Sequence, residues 1–373
     1  MKVLELCLSH GVGGLELYAL RTAKQLTRFG CDCVAVVKEG TMLAERMHAE
    51  GVRTITLRRL NPLLPWLAAR RLAKIIDQEA LDVLHMHWGK DINLAVLAKC
   101  FARRKVKLVY TRQMMITRSK KDVYHRILYG HIDIYLTITR QLRDKARAFL
   151  PMPVHKVQLL YYGVEQPQSL SADQRQSVLH ELGVRDGSNL AIGLVGRIEA
   201  NKGQHLLIEA LQMLREQDLA VHATIIGPVM DNAYFSRIQA QVARLGLQGH
   251  VTFYGRHTNP IDIMPAFDIV VLATEMETFG LVLIEAMRGG VAVVGSNAGG
   301  VPEIIEDGVS GLLFESGNAA DLAAKLKHYC KDRDMRSRVA AAGKARADNL
   351  FALEQHYQSL KQIFLGLRND SAG

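Results

Sequence analysis

The sequence is poor in the features that cross-link a chain, span a membrane or hold a structural metal. Its five cysteines are odd in number, scattered and without C-x-x-C spacing, so neither a disulfide framework nor a zinc site is indicated. No apolar run approaches the roughly 20 residues that cross a bilayer. The first residues form a strand-like segment instead of a charged-then-apolar signal peptide. We expect a cytoplasmic protein with reduced thiols.

Negative charge is scarce in the first part of the chain. Residues 1–165 contain 28 Lys and Arg against 14 Asp and Glu, whereas residues 166–373 contain 19 against 23. The first part therefore carries the whole excess of the net charge of +10. Such a surface attracts anions, and membrane phospholipid, a phosphorylated acceptor and nucleic acid are the candidate partners.

The 373 residues exceed one ordinary core and fit two domains. Apolar segments of strand length alternate with helix-sized intervals, which is typical of βαβ crossovers and a mostly parallel sheet. The alternation lapses between residues 161 and 172, where Pro, Gln and Ser collect, and then resumes. We predict an α/β protein with two Rossmann-like doubly wound domains, 1–165 and 166–349, and a C-terminal helix in 350–373. The predicted strands are 2–8, 33–37, 54–57, 83–86, 107–111, 134–138, 190–195, 221–226, 251–254, 269–272, 291–294 and 311–314.

Two glutamates, Glu277 and Glu285, stand seven intervening residues apart at the start of an apolar, helix-like run. If the helix begins near Thr278 or Phe279, Glu277 lies beside its free backbone N–H groups and Glu285 about two turns deeper. Those donors suit a phosphate, and the carboxylates suit sugar hydroxyls. The spacing alone is more typical of a solvated helix terminus, so neighbouring motifs decide the interpretation.

Three such motifs are present. Gly196-Arg197 followed by Lys202-Gly203 is similar to a G-R-x(4)-K-G segment, residues 299–308 are similar to G-G-x-P-E-x(3)-D-G, and Gly13-Gly14 matches an N-terminal glycine turn. With the E-x7-E pair, this order of motifs resembles the retaining glycosyltransferases of the GT-B fold in family 4. The resemblance covers nearly the whole chain, although the first half matches loosely.

The resemblance implies a role for each residue. Glu277 would lie near the hydroxyls of the donor sugar, Glu285 would bind the ribose hydroxyls, and Arg197 and Lys202 would bind the diphosphate. Glu277, Arg197 and Lys202 are thus the candidate catalytic residues. The expected donor site consists of Gly196, Arg197, Lys202, Glu277, Phe279, Gly280, Leu281 and Glu285, with the backbone N–H groups of Gly280 and Leu281 on the phosphates. The resemblance also implies that the domains face a cleft and that the C-terminal helix crosses back to the first domain.

We expect no metal ion and no cofactor, on the interpretation that the chain offers no D-x-D triplet of metal ligands. Positive side chains and the helix N-terminus would then neutralise the leaving diphosphate of a UDP- or GDP-sugar. Retention is implied by the resemblance, yet no side chain is a convincing nucleophile for a two-step displacement. A front-side mechanism, in which the leaving phosphate takes the proton of the acceptor, needs none.

Two patterns in the first half concern the acceptor. His85 and His87 alternate at the end of a predicted strand, so both rings could project to one face, but a third metal ligand is missing. Thr111-Arg112-Gln113 stands where many relatives have T-x-H, and Gln113 cannot carry a proton at neutral pH. His87 or His125 could take over that role. We take Gly13, Gly14, His87 and Gln113 as candidates for binding the acceptor or a phosphate.

Apolar and basic residues are interleaved in residues 57–74, 99–107 and 112–126. The first of these segments sets Leu63, Leu64, Trp66 and Leu67 among the arginines at 58, 59, 70 and 71, as a helix in a lipid headgroup layer would. Solvated helix faces explain the pattern equally well. An anionic membrane surface is thus a candidate partner, at the inner face of the cytoplasmic membrane.

The leading hypothesis is a retaining, metal-independent glycosyltransferase acting on a glycan, a lipid-linked or a phosphorylated acceptor in bacterial cell-surface polysaccharide synthesis, such as lipopolysaccharide or capsule. A sugar-nucleotide epimerase or a phosphorylase on the same fold is the alternative within enzymes, against which the combined donor motifs argue. A basic nucleic-acid-binding protein is the alternative from another class, but the chain lacks a recognisable module and aromatic stacking motifs.

Overall fold

The computed structural model describes residues 1–11, 13–58, 65–184 and 189–369. The chain divides into two compact units, Met1–Tyr161 with Glu354–Gly373, and Tyr162–Leu353. The first unit therefore consists of two separate segments of the sequence, and the second is continuous.

The first unit is an α/β unit built on one parallel sheet. Its strands are β1 (Lys2–Cys7), β2 (Asp32–Lys38), β3 (Thr54–Leu57), β4 (Val83–Met86), β5 (Lys107–Arg112), β6 (Ile134–Thr137) and β7 (Val157–Leu159). Its helices are α1 (Gly14–Arg28), α2 (Met42–Ala49), α3 (Pro65–Gln78), α4 (Ile92–Phe101), α5 (Val123–Gly130), α6 (Arg140–Phe149) and, at the other end of the chain, α14 (Leu353–Asn369).

The second unit repeats this architecture. Its strands are β8 (Leu190–Val195), β9 (Val221–Ile226), β10 (Val251–Gly255), β11 (Ile269–Leu272), β12 (Ala292–Ser296) and β13 (Leu312–Phe314). Its helices are α7 (Ala172–Glu181), α8 (Gln204–Arg215), α9 (Asn232–Arg244), α10 (Leu281–Arg288), α11 (Val301–Ile304), α12 (Ala319–Lys331) and α13 (Arg333–Leu350).

The strand order reverses once in each sheet. Among the described residues, the seven strands of the first sheet run β3-β2-β1-β4-β5-β6-β7 and the six of the second run β10-β9-β8-β11-β12-β13. All of these pairings are parallel. The order reverses between β1 and β4 and between β8 and β11, and ligands of open α/β sheets bind beyond the carboxyl ends of the strands at such points.

The strands are apolar because helices cover both faces of a parallel sheet. β9 is buried along its whole length, and β8 is buried from its second residue onward. Leu207, Leu211 and Leu214 recur at helical spacing on α8 and complete this core. A buried core on each side of each sheet fixes the strand ends that carry the polar residues.

The predicted fold class is confirmed, since both sheets are parallel and doubly wound. The strand bounds differ from the prediction by at most two residues, but the three-residue β7 (Val157–Leu159) was not predicted. The first unit ends at Tyr161, where the predicted domain boundary lay at residue 165, and its second segment begins at Glu354.

Candidate active site

A glycine turn leaves β8 and carries the first two basic residues of the site. Gly196 and Arg197 follow the strand, and a short 3-10 turn, Ala200–Lys202, leads into α8. The Arg197 side chain is 56% exposed and pairs with Glu199 at 2.7 Å. The buried Gln204 donates from Nε2 to the carbonyl of Arg197 at 2.8 Å, which fixes the backbone of the turn while the guanidinium stays accessible.

Lys202 and Glu277 meet, although 75 residues separate them in the sequence. The Lys202 ammonium lies 3.1 Å from Glu277 Oε2, and both side chains are only about one-fifth exposed. The other carboxylate oxygen accepts a hydrogen bond from the backbone N–H of Thr278 at 3.1 Å. The first donor motif and the E-x7-E motif therefore form one cluster beyond the carboxyl ends of β8 and β11.

Buried hydroxyls hold the loop that carries Glu277. Thr274 donates to the carbonyl of Asn201 at 2.9 Å, and Ser296 donates to the carbonyl of Thr274 at 2.6 Å. Both side chains are fully buried. These contacts tie the ends of β8, β11 and β12 together. Our reading of the sequence missed Thr274, Ser296 and Gln204, and the only available signal was a polar residue at or just beyond a buried strand.

Gly299 and Gly280 are required by the backbone here. Gly299 has φ of +59°, and a side chain there would collide with the carbonyl oxygen of Glu277, to which the N–H of Gly300 donates at 2.9 Å. Gly280 has φ of +105° and precedes α10. This left-handed residue is favourable only for glycine.

The helix of the E-x7-E motif begins at Leu281, later than the predicted Thr278 or Phe279. The left-handed backbone of Gly280 explains the difference, because it cannot continue a right-handed helix. Glu277 therefore lies in the preceding loop, and Glu285 is the fifth helical residue and half-buried. The N–H groups of Leu281 and Val282, in the first turn of α10, lack partners within the helix.

Phe279 is placed differently from its expected role as a donor ligand. Its side chain is 3% exposed and makes edge-to-face contacts with Tyr162 and Phe351. Any contact of Phe279 with the sugar donor would therefore be made by its backbone. The ring anchors the loop between Glu277 and α10.

This cluster combines two cations, a carboxylate and a helix N-terminus at a strand-order reversal. Arg197 and Lys202 supply positive charge, and α10 adds backbone donors and the positive end of its dipole. Glu277, charge-balanced by Lys202, can accept hydrogen bonds from hydroxyl groups. The arrangement suits a ligand that carries both phosphate and hydroxyl groups.

In the first unit, Gly13 and Gly14 follow β1, and steric constraints require glycine at neither position. Gly13 has an extended backbone with φ of −137° and donates its N–H to the Glu16 carboxylate at 2.8 Å, which caps α1. A side chain at Gly14 would meet no atom within 4 Å. The Gly13 N–H is thus already occupied, and the space beside Gly14 is open.

A buried polar cluster lies at the other strand-order reversal. Glu5 on β1 accepts from His85 Nδ1 at 3.0 Å and from His87 Nε2 at 2.5 Å, and His85 Nε2 contacts Thr111 Oγ1 at 2.7 Å. Burial would raise the pKa of Glu5, but the His85 and His87 imidazoles lower it to about 2. Burial, followed by the neighbouring His85, lowers the pKa of His87. No third ligand was predicted beside the two histidines, and Glu5 supplies that position.

The three side chains are close enough to share a metal ion. Hydrogen bonds account for the observed distances without one, because a carboxylate can accept from both imidazoles. His87 Nδ1 is then a buried acceptor, and among the described residues it has no hydrogen-bond partner.

The position expected to carry the T-x-H histidine is buried. Gln113 is 8% exposed, and its Nε2 lacks a hydrogen-bond partner in the described part of the chain. His125, a suggested replacement, contacts Asp122 at 2.6 Å in the first turn of α5. His87, the other, contacts Glu5.

An acidic D-x-D triplet does occur in the chain, at residues 332–334. Asp332 caps α13 by accepting from the N–H of Met335 at 2.8 Å. The triplet is therefore a helix terminus, distant in sequence from the donor motifs. The prediction that the chain contains no D-x-D triplet was therefore wrong, and a metal-free donor site stays a prediction.

The segment predicted to contact a membrane is described in part. Arg59, Leu63 and Leu64 lie outside the described residues. Trp66 and Leu67 are exposed on α3, and the guanidinium of Arg70 lies 5.6 Å from the centre of the Trp66 ring. In the described ranges, no helix is both long and apolar enough to cross a membrane.

Two family models match the chain. The model described as "Glycosyl transferases group 1" matches residues 180–346, and "Glycosyltransferase Family 4" matches residues 12–166. Each match lies almost wholly within one unit, and the first contains both donor motifs.

Known proteins with these features are similar along most of the chain. N-acetyl-alpha-D-glucosaminyl L-malate synthase of Bacillus anthracis is 25% identical over 312 residues, which cover 82% of this chain and 80% of that protein. Lipopolysaccharide core biosynthesis mannosyltransferase LpsB of Rhizobium meliloti is 24% identical, with 76% and 79% covered. The solved structure of Anabaena Alr3699/HepE in complex with UDP has a TM-score of 0.87, at 23% identity, and covers 98% of this chain and all of that one.

Proposed function

Because the chain belongs to the group 1, family 4 glycosyltransferases of the GT-B fold, we propose that it moves a sugar from a nucleoside-diphosphate sugar to a glycan or lipid-linked acceptor. In this proposal the transfer retains the anomeric configuration and needs no divalent metal. The observation that carries the proposal is the cluster of Arg197, Lys202 and Glu277 before the N-terminus of α10. The UDP complex of HepE makes UDP-sugars the first donors to test.

The leaving group defines what the cluster must do. Departure of the sugar leaves negative charge on the diphosphate, and Arg197, Lys202 and the α10 N–H groups are positioned to stabilise it. Glu285 on α10 would accept from ribose hydroxyls, and Glu277 from the donor sugar. The Lys202–Glu277 pair holds both groups in place before the donor arrives.

A front-side displacement fits these residues. The bond from the anomeric carbon to the diphosphate oxygen breaks, the acceptor oxygen bonds to the same face, and its proton passes to the departing phosphate oxygen. A two-step displacement would need a free carboxylate nucleophile, whereas both oxygens of Glu277 already accept hydrogen bonds. Gln113 need not carry a proton in this mechanism.

The acceptor would belong to a cell-surface polysaccharide, as the lipopolysaccharide core does for LpsB. Gly13, Gly14, His87 and Gln113, at or near the carboxyl edge of the first sheet, are the residues we propose for the acceptor or a phosphate. Action at the inner face of the cytoplasmic membrane is part of this proposal.

A donor screen tests the proposal. The full-length protein is given UDP-glucose, UDP-galactose, UDP-N-acetylglucosamine or GDP-mannose with bacterial lipopolysaccharide and lipid-linked glycans, and nucleoside diphosphate release is measured. We expect release from one donor that an acceptor stimulates, and a product with the anomeric configuration of that donor.

The alternatives give different products. Interconversion of sugar nucleotides without diphosphate release would identify an epimerase, and sugar 1-phosphate formed from a glycan and inorganic phosphate would identify a phosphorylase. Inversion of the anomeric centre would refute the mechanism and leave the transferase activity standing.

A further inference from the structure

Helix α5 has three apolar or aromatic residues exposed at the surface. Val123, Tyr124 and Ile127 are 73%, 54% and 60% exposed, while Leu128 and Tyr129 are buried against the rest of the unit. Val123 and Ile127 lie one helical turn apart, and Tyr124 lies beside them, so the three form one surface. We call this surface the α5 face. Single exposed apolar residues are ordinary, but a contiguous group on one short helix marks an interaction site.

Cations lie before and within α5 in the sequence, next to the residues of the α5 face. Arg118, Lys121 and Arg126 are exposed, and in the part of the chain that the structure describes none of them lies within ion-pair distance of a carboxylate. Asp122, the N-cap residue of α5, is held by His125. The positive charge around the apolar residues is therefore not neutralised within the unit.

The α5 face is preformed. Asp122 caps the helix by accepting from the N–H of His125 at 3.1 Å, and the Tyr124 hydroxyl donates to Asn93 Oδ1 on α4 at 2.7 Å. The phenol ring is thus fixed at the surface with its polar end satisfied. Aromatic residues with an apolar body and a polar tip are enriched at membrane interfaces.

We propose that the α5 face docks on an anionic phospholipid surface, with Val123, Tyr124 and Ile127 inserted among the headgroups and Arg118, Lys121 and Arg126 on the lipid phosphates. Charge complementarity selects this occupant: unpaired cations around an apolar centre match a layer that is anionic outside and apolar beneath. This docking rests on the proposed function in one respect, because a lipid-linked acceptor would lie in the membrane surface on which the α5 face docks.

A second group in the same unit has the same composition. Trp66 and Phe101 are exposed on α3 and α4, and the Arg70 guanidinium lies within 5.7 Å of the centres of both rings. Arginine stacked on exposed rings keeps an apolar surface beside a cation. We assign the primary contact to the α5 face, because its residues are the more exposed and its cations have no aromatic partner.

The experiment is cosedimentation of the full-length protein with vesicles of equimolar phosphatidylglycerol and phosphatidylcholine, or of phosphatidylcholine alone. V123S/I127S removes the apolar centre, and K121Q/R126Q removes two cations. V309S/M230S is the matched control, because both of its residues are exposed and lie in the second unit. Y124W places a fluorophore on the α5 face.

We expect binding to anionic vesicles that weakens with added salt. Each α5 variant should lower the partition coefficient about tenfold or more, since partial burial of two side chains or the attraction of two cations supplies at least that factor. The control should bind as the unmodified protein does. The fluorescence emission of Y124W, after subtraction of the emission of the unmodified protein, should shift to shorter wavelengths with anionic vesicles only.

The inference would be overturned by the absence of vesicle binding, by equal binding to neutral vesicles, or by anionic binding that V123S/I127S leaves unaffected. Equal affinity for heparin or duplex DNA would assign the cations to polyanions in general and also overturn it. Calorimetry with UDP on the same variants separates this inference from the proposed function, because the donor residues belong to the other unit. Vesicle binding without UDP binding would refute the proposed donor alone.

Discussion

Lys202 and Glu277 form the residue pair on which the proposed donor site depends. They are partly buried and 3.1 Å apart, so removal of one leaves the other charge without its partner in a site of reduced solvent access. Arg197 differs, because its side chain is more than half exposed and pairs with Glu199 on the same turn. Substitution of either cation should therefore weaken its action on the same ligand, but the two substitutions should differ in their effect on the stability of the fold.

We predict that Lys202→Ala and Arg197→Ala each lower kcat/KM by about a hundredfold, equivalent to about 3 kcal/mol of transition-state stabilisation. Each removes one charge from the diphosphate that develops in the transition state. Lys202→Ala should also lower the melting temperature slightly, because Glu277 loses its partner. Steady-state release of nucleoside diphosphate and thermal unfolding measure both effects.

Arg175→Ala is the matched control. Arg175 pairs with Asp268 at 3.0 Å, before β11 begins and thus at the opposite edge of the same sheet. Its loss should leave kcat/KM unchanged. Near-normal turnover by both Lys202→Ala and Arg197→Ala would remove the proposed phosphate site.

At the scale of elements, apolar periodicity predicted most of the fold. Strands covered on both faces are continuous apolar runs, so β8 and β9 could be placed to the residue. β7 (Val157–Leu159) was missed because Gln158 interrupts its apolar residues, whereas β13, which is equally short, is apolar throughout. The start of α10 was misplaced because sequence does not reveal that Gly280 adopts a left-handed backbone.

The candidate site could be predicted only where its residues stand in a linear motif. Arg197, Lys202 and Glu277 were predicted from motifs that resemble those of a known family, and the fold brings Lys202 and Glu277 together. Glu5 was not found, because it meets His85 and His87 only through the pairing of β1 with β4, across some 80 residues. A contact created by strand order leaves no local signature in the sequence.

Helix α14 closes the first unit with a buried histidine. His356 contacts the Tyr161 carbonyl at 2.6 Å and the Tyr18 hydroxyl at 3.0 Å. Burial, only partly opposed by the Tyr161 carbonyl, lowers the pKa of His356 to about 4, with further lowering by His85 and Arg21. The fold therefore holds this imidazole neutral.

We predict that the first unit loses stability as the pH falls from about 6.5 to about 4. The unfolded chain takes up the proton near 6.5 while the folded unit resists it, so the stabilisation is complete above that pH and is lost towards the folded pKa. The loss from this group is on the order of 3 kcal/mol. The lowered pKa of Glu5 has the same sign, but acts from about 4.5 down to about 2.

Urea unfolding followed by tryptophan fluorescence measures this loss selectively, because both tryptophans, Trp66 and Trp88, belong to the first unit. His356→Gln keeps a donor and an acceptor and removes the titration. A variant that retained the full decline between pH 6.5 and 4 would show that another group is responsible.

At the scale of the molecule, charge and donor chemistry are divided between the units. The excess of cations lies in residues 1–165, whereas the candidate donor site lies within residues 196–285. In the proposed mechanism, two cations and a helix N-terminus at the candidate donor site would take the place of a bound ion. The Glu5 cluster, which could hold an ion, belongs to the other unit.

We predict that transfer activity persists in excess EDTA, because Arg197, Lys202 and α10 neutralise the diphosphate directly. Initial rates with and without chelator, after dialysis against it, make the comparison. Complete loss that added Mg²⁺ or Mn²⁺ restores would contradict the metal-free mechanism. Elemental analysis of the dialysed protein would locate any retained ion, with Glu5→Gln as the variant that should release it from the first unit.

The first unit is discontinuous in the chain, and this has a consequence for synthesis. The ribosome makes Met1–Tyr161 before Tyr162–Leu353, and it makes Glu354–Gly373 only after both. The hydrogen bonds of Tyr18 and Phe29 with His356 and Lys361 on α14 can form only after α14 has been made. The second unit, continuous and complete, can fold while translation is still under way. A premature stop before residue 354 would thus damage the part of the protein made first and spare the part made second.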